Sequence, residues 1–151
     1  MEETRALARR IGEELEAGDF IALVGTLGAG KTAFVQGLAL GLGSEGSVTS
    51  PTFVLMRLHQ GPVPLAHADA YRLGGAADLA DLGLADWMGD SVVALEWADT
   101  VPGALPSDRI EVQIEYTDAG RRLRIRGFGR RSAQIVQEIK RRGEEAPGGE
   151  T

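Results

Sequence analysis

The sequence predicts an α/β fold, a small mixed β-sheet flanked by helices, and three observations predict it. A glycine-rich stretch, Gly25-Thr26-Leu27-Gly28-Ala29-Gly30-Lys31-Thr32, lies between an apolar run and a helical run. A second β-branched run, Ser91-Val92-Val93-Ala94-Leu95, ends in an acid, Glu96. Two alternating segments near the C-terminus are separated by Asp118-Ala119-Gly120 and read as a hairpin. With 151 residues, the chain is expected to form one domain over residues 1–142, with a polar tail over 143–151 that contains Pro and Gly but no core residues.

The glycine-rich stretch fits G-x-x-x-x-G-K-[ST], the phosphate-cradling P-loop, so the fold class is P-loop NTPase-like. Before it, Phe20-Ile21-Ala22-Leu23-Val24 is short and β-rich enough for a buried strand. After it, Phe34, Val35, Leu38 and Leu42 recur at helical spacing from Thr32 to Leu42. Glycines let backbone N–H groups converge on an anion without a Cβ in the way. The helix N-terminus adds unpaired donors and a positive dipole end. Gly28, Ala29, Gly30, Lys31, Thr32 and Ala33 are the expected phosphate-binding residues, with Lys31 as the cation for the terminal phosphates and Thr32 as a hydroxyl ligand for Mg²⁺. The chain uses arginine almost everywhere else for its cations, the only lysines being Lys31 and Lys140. A point charge is thus retained where arginine is not an equivalent.

In order along the chain, Thr4 to Ala17 reads as an amphipathic helix, with Leu7, Ile11 and Leu15 on one stripe and Gly18 as its C-cap. The loop and its helix follow, the helix ending near Gly43. Pro51 then excludes a helix and fixes an extended entry, so Phe53–Leu58 and Val63–Ala68 are expected to pair across Gly61-Pro62. Ser50 and Thr52 lie where nucleotide-sensing switch segments often sit; an ordinary Ser/Thr-rich turn is the other reading. Alternation puts His67, Asp69 and Tyr71 on one face of an extended segment. Asp69 is a candidate to orient water or join the metal shell, while a lone His67 reads as a hydrogen-bonded structural histidine. Residues 76–82 and 84–88 look like short helices divided by Gly83. Glu96, ending a buried hydrophobic strand, has the pattern of a P-loop ATPase acid that holds Mg²⁺ or activates water. Trp97 beside it is an anchor for the core or for a partner. Ile110–Tyr116 and Leu123–Arg126 form the hairpin, and Ser132 is placed to cap a final helix carrying Ile135, Val136 and Ile139.

Composition narrows the class further. Hydrophobic residues make up 43% of the chain and charged residues 25%, ordinary for a globular protein. A chain of this length buries roughly 68–70% of its unfolded surface. No cysteine is present, which excludes disulfides and thiolate metal sites. The first residues lack the basic and apolar regions of a signal peptide, and no apolar run approaches spanning length, so a cytoplasmic protein with no membrane contact is expected. The net charge of −6 argues against binding DNA or RNA non-specifically through the whole surface. From Arg109 to Arg142, ten basic residues face four acidic ones. Solvated strand faces and a helix C-terminus complementing its dipole explain that segment better than an acidic partner or RNA.

G-x-L-G-A-G-K-T, then S-P-T-F, then H-x-D-x-Y-R, then E-W, in this order and in so short a chain, resembles the TsaE (YjeE) family. The resemblance runs from the N-terminal helix to about Gly127. It implies a small P-loop fold with a mixed sheet, binding of ATP and Mg²⁺, and slow ATP hydrolysis by the isolated protein. It also implies work with TsaB and TsaD in tRNA threonylcarbamoyladenosine (t6A) biosynthesis, with tRNA contact indirect. By the same resemblance, residues 28–33 match the phosphate loop, and Thr32 and Glu96 match the Mg²⁺ ligands. Asp69 matches the acid linked to hydrolysis, Ser50 and Thr52 the switch-like segment, and Trp97 the tryptophan after the glutamate. The family usually has Asp at the position of Thr26 and Pro-Glu where this chain has Ala98-Asp99.

Two other functions fit parts of the pattern. A small-molecule P-loop kinase needs an acceptor pocket and an arginine-bearing lid, and here no lid-like insertion follows the loop helix and the arginines cluster beyond Arg109. A nucleotide-gated binding module with incidental hydrolysis overlaps the family's behaviour. An N-K-x-D base-reading motif, needed by a GTPase, is absent. Without an evident arginine finger, a group that contributes about 10³–10⁵ in rate, a slow ATPase whose nucleotide state controls docking is expected.

Overall fold

β1 (Phe20–Gly25) is the hub of a six-stranded sheet, flanked by two later strands, β4 (Val92–Glu96) and β5 (Arg109–Thr117). The computed structural model describes residues 2–25, 31–44, 56–69, 89–100, 103, 105–117 and 120–145. The remaining strands are β2 (Met56–His59), β3 (Leu65–Asp69) and β6 (Gly120–Phe128), and the sheet order is β2-β3-β4-β1-β5-β6. The four inner strands run parallel, while β2 with β3 and β5 with β6 are antiparallel hairpins. The sheet is therefore mixed, as the sequence predicts, and both expected hairpins are present. The first pairs Met56–His59 with residues 65–68, and the expected strand residues 53–55 lie outside the described residues, as do the short helices expected at 76–82 and 84–88.

Three helices are described: α1 (Glu2–Glu14), α2 (Lys31–Gly41) and α3 (Arg130–Glu145). Alternation along the strands sorts the core into two layers. Ile21, Leu23, Leu65, Val92, Ala94, Ile110, Val112 and Ile114 face the helices, where they meet Ile11, Phe34, Leu38, Ile135 and Ile139. The other layer is smaller, with Phe20, Ala22, Ala66, Ala68, Val93 and Leu95 joined by Ala98 and the half-buried Leu58, Trp97 and Leu105. β4 is buried at every position, as a parallel strand covered on both faces must be.

α1 and α2 touch backbone to backbone. A Cβ at Gly12 would stand 2.6 Å from the Leu38 carbonyl, and one at Gly37 or Gly41 would land on the Arg5 or Arg9 carbonyl. α2 closes in a Schellman motif, with Gly43 at φ 88°, its N–H donating to Leu40, and Ser44 N–H donating to the Ala39 carbonyl.

Three helix ends differ from expectation. α1 stops at Glu14, not Ala17, because Asp19 Oδ2 accepts the Glu16 N–H at 2.7 Å and the Arg131 guanidinium donates to the Glu14 carbonyl at 3.1 Å. Gly18 does take a left-handed φ of 99°, but in the turn beyond the helix, where its N–H reaches Ser91. α3 is capped not by Ser132 but by Asp108. The Asp108 carboxylate accepts from the N–H groups of Arg131 and Ser132 at 3.0 Å each and from the Ser132 hydroxyl at 2.5 Å. Those bonds, the hydroxyl's first, hold the Asp108 carboxyl below its usual pKa. α3 runs to Glu145, past the boundary expected at 142.

Candidate functional site

Four parallel strands bring four carboxyl ends to one edge of the sheet, the place where open α/β folds bind ligands. There β1 ends at Gly25, and after five intervening residues α2 begins at Lys31. Gly28, Ala29 and Gly30 lie in between, outside the described residues. Lys31 and Thr32 open α2, and Ala33, buried in its first turn, packs into the core. A buried strand and a helix separated by the five residues 26–30 are the context the P-loop pattern requires.

The two acids meet at this edge. Glu96 ends β4 and Asp69 ends β3, and they are register partners; Glu96 is also level with Leu23, two residues before β1 ends. Alternation turns both toward the helix-covered face, since Leu65 and His67 share it with Asp69, and Val92 and Ala94 with Glu96. Both are buried, Glu96 at 4% and Asp69 at 7% exposure. Water is thus largely excluded around two carboxylates, which strengthens any interaction they make with a cation.

His67 is fully buried, and its Nε2 lies 2.5 Å from Glu96 Oε2. Register pairs His67 with Ala94, so the bond runs diagonally along one face to the residue two places on. Nδ1 has no hydrogen-bond partner among the described residues, so the Nε2–H tautomer donates to the carboxylate. The sequence reading treats His67 as a hydrogen-bonded structural histidine; that its partner is Glu96 was not legible. The signal available was its alternation with Asp69, but the neighbour strand that supplies the partner cannot be read from chain order.

Trp97 follows Glu96 at φ 60°, a left-handed conformation that costs a residue with a Cβ about 1–2 kcal/mol. The backbone leaves the strand there and enters a 3-10 turn, Ala98–Thr100. The indole packs with the smaller apolar layer, so consecutive residues serve opposite faces of the sheet. Ser50 and Thr52 lie outside the described residues.

Mg²⁺ fits these groups. Among the described residues no three His, Cys, Asp or Glu side chains form a metal cage. Mg²⁺ asks for less: one or two carboxylates, with phosphate oxygens and water completing its shell. Two adjacent buried carboxylates next to a loop of phosphate-binding pattern meet that requirement.

A family model described as "Threonylcarbamoyl adenosine biosynthesis protein TsaE" matches residues 1–124. The tRNA threonylcarbamoyladenosine biosynthesis protein TsaE of Streptomyces coelicolor is 44% identical over 139 residues, covering 85% of this chain and 93% of that protein. The protein of the same name from Bacillus subtilis is 36% identical over 143 residues, covering 93% of this chain and 89% of its own. The crystal structure of Bacillus subtilis YdiB superposes with a TM-score of 0.78 at 33% identity, over 93% of this chain and 89% of that one.

Proposed function

The chain belongs to the TsaE family, and on that premise we propose that it serves tRNA t6A biosynthesis as an ATP-binding, slowly ATP-hydrolysing component that works with TsaB and TsaD in the cytoplasm. The observation that carries the ATPase part is the pairing of Asp69 with Glu96 at the strand edge where β1 gives way to α2.

Each residue has a distinct task in this reading. The N–H groups of residues 28–33 cradle the phosphates, and the Lys31 ammonium faces the terminal ones. Thr32 and Glu96 hold Mg²⁺, which when bound neutralises charge on the β- and γ-phosphate oxygens. Asp69, one strand away from Glu96, orients the attacking water and accepts its proton. Ser50 and Thr52 respond to the nucleotide state, and Trp97 anchors either the smaller apolar layer or a partner. Contact with tRNA is indirect, made through the partner proteins.

The test is ATP turnover by the purified protein, alone and with the cognate TsaB–TsaD pair. Turnover should be slow alone, rise with the pair, and collapse in Glu96→Ala. Asp69→Asn should lower turnover by about 10²-fold or more while nucleotide affinity stays within a few-fold, because a positioned base acts in the transition state. Turnover of about 1–100 per second without partners, a rate typical of kinases, would sink the reading in favour of a phosphoryl-transfer enzyme. No response to the pair would remove the t6A assignment and leave only nucleotide binding.

A further inference from the structure

The scheme above gives His67 no task, yet it is fully buried and makes one short bond to the acid assigned to the metal. We propose that His67 is a positioning residue: its Nε2–H fixes Oε2 of Glu96 and so presents Oε1 to the metal–nucleotide complex. The inference deepens the proposed function and rests on it.

The bond geometry supports this. A glutamate at a strand end has three side-chain torsions to restrict, and a single charge-assisted bond at 2.5 Å selects one carboxylate orientation. No other hydrogen bond to the Glu96 carboxylate is made among the described residues, so its Oε1 is the oxygen left to a ligand. The histidine is not an economical way to fill the space. Its Nδ1 has no partner among the described residues, and that buried polar atom offsets part of what the bond to Glu96 contributes. What the donor supplies besides is the orientation of the carboxylate. The layout matches the known logic of metal sites, where an outer hydrogen-bond partner fixes the ligand that touches the ion.

The test uses Mn²⁺ as the probe, its affinity read by electron paramagnetic resonance in the presence of a non-hydrolysable ATP analogue, with thermal melts beside it. His67→Leu and His67→Asn should bind Mn²⁺ about 10–100-fold more weakly, whereas His67→Gln, whose amide nitrogen reaches the Nε2 position, should stay within about threefold of the original. His67→Leu should also melt lower, because it strips the buried Glu96 carboxylate of its side-chain hydrogen bond, so the contrast between His67→Gln and His67→Asn carries the test. Equal loss in the Gln and Asn variants would overturn the proposal, because the position of the donor would then be irrelevant. Unchanged Mn²⁺ affinity in all three would overturn it as well. Glu96→Gln separates this failure from that of the proposed function: if Glu96→Gln weakens Mn²⁺ binding and the His67 variants do not, only the positioning role falls. If Glu96→Gln binds Mn²⁺ like the original, the metal role of Glu96 falls and takes the inference with it.

Discussion

At residue scale the most informative single position is Trp97. Its φ of 60° is the one left-handed conformation among the described residues that is not borne by glycine. Such strain persists only where the surroundings over-determine it, and it clusters at functional sites. Here it lets the chain leave β4 immediately after Glu96 while the indole drops onto the opposite layer. The expected outcome inverts the usual ranking of small residues. Trp97→Ala should lose the packing and keep the strain, whereas Trp97→Gly should lose the packing and release it. Urea denaturation should therefore find the glycine variant the more stable of the two by about 1 kcal/mol. A glycine variant less stable than alanine would mean the conformation is unstrained. The place of Glu96 at the end of a buried strand is legible from the sequence, because an acid closing an apolar run needs only local pattern. The bond from His67 is not, since it depends on β3 lying beside β4, a neighbour relation that the 22 intervening residues leave open.

At the scale of elements, helix seams and caps decide the outcome. Gly37→Ala would ordinarily stabilise a helix by up to about 1 kcal/mol. At the α1–α2 seam the new methyl would meet the Arg5 carbonyl, so a loss of about 1–3 kcal/mol is expected from chemical denaturation, the cost of overpacking. A neutral or stabilising result would show that the two helices can separate freely. The Asp108 cap makes a pH-dependent prediction. Its folded pKa is depressed, chiefly by the Ser132 hydroxyl, so its contribution is complete above the ordinary carboxylate range and is lost as pH falls through the folded value. Asp108→Ala should cost about 0.5–2 kcal/mol near neutral pH. The gap from the original protein should begin to narrow below about pH 4 and go on narrowing as pH falls through the depressed folded value, measured by melts across pH, and a gap that does not narrow on acidification would remove the cap's charge from the explanation. The last helix itself was legible from Ile135, Val136 and Ile139. Its cap is not legible, because Ser132 has the right chemistry locally while the group that bonds there comes from 24 residues upstream.

At the scale of the whole molecule, the two edges of the parallel strands divide the work. The acids and the α2 N-terminus share the carboxyl edge. At the other edge Asp19, Arg131 and Asp108 tie the end of α1, the start of β1 and the start of α3 together. The family match ends at residue 124, yet α3 beyond it buries Ile135, Val136 and Ile139 in the larger core layer. Burial of such side chains contributes about 1.5–3 kcal/mol each. Against a typical total of about 5–15 kcal/mol, a chain ending at Phe128 should melt far lower or fail to stay soluble. A truncated chain with an unchanged melting temperature would show that α3 is an appendage. The strand order itself was beyond the sequence, for local pattern marks a strand but not its neighbours; β1 beside β4 and β5 is settled by packing across the full length of the chain. The burial of β4 on both faces carries a consequence in time as well as in space. Amides of a strand with no solvent-facing side open to deuterium only through the largest unfolding events of the molecule. Glu96 is thus mounted on a strand whose amides should be among the last to exchange, so its carboxylate should hold its place through local openings elsewhere.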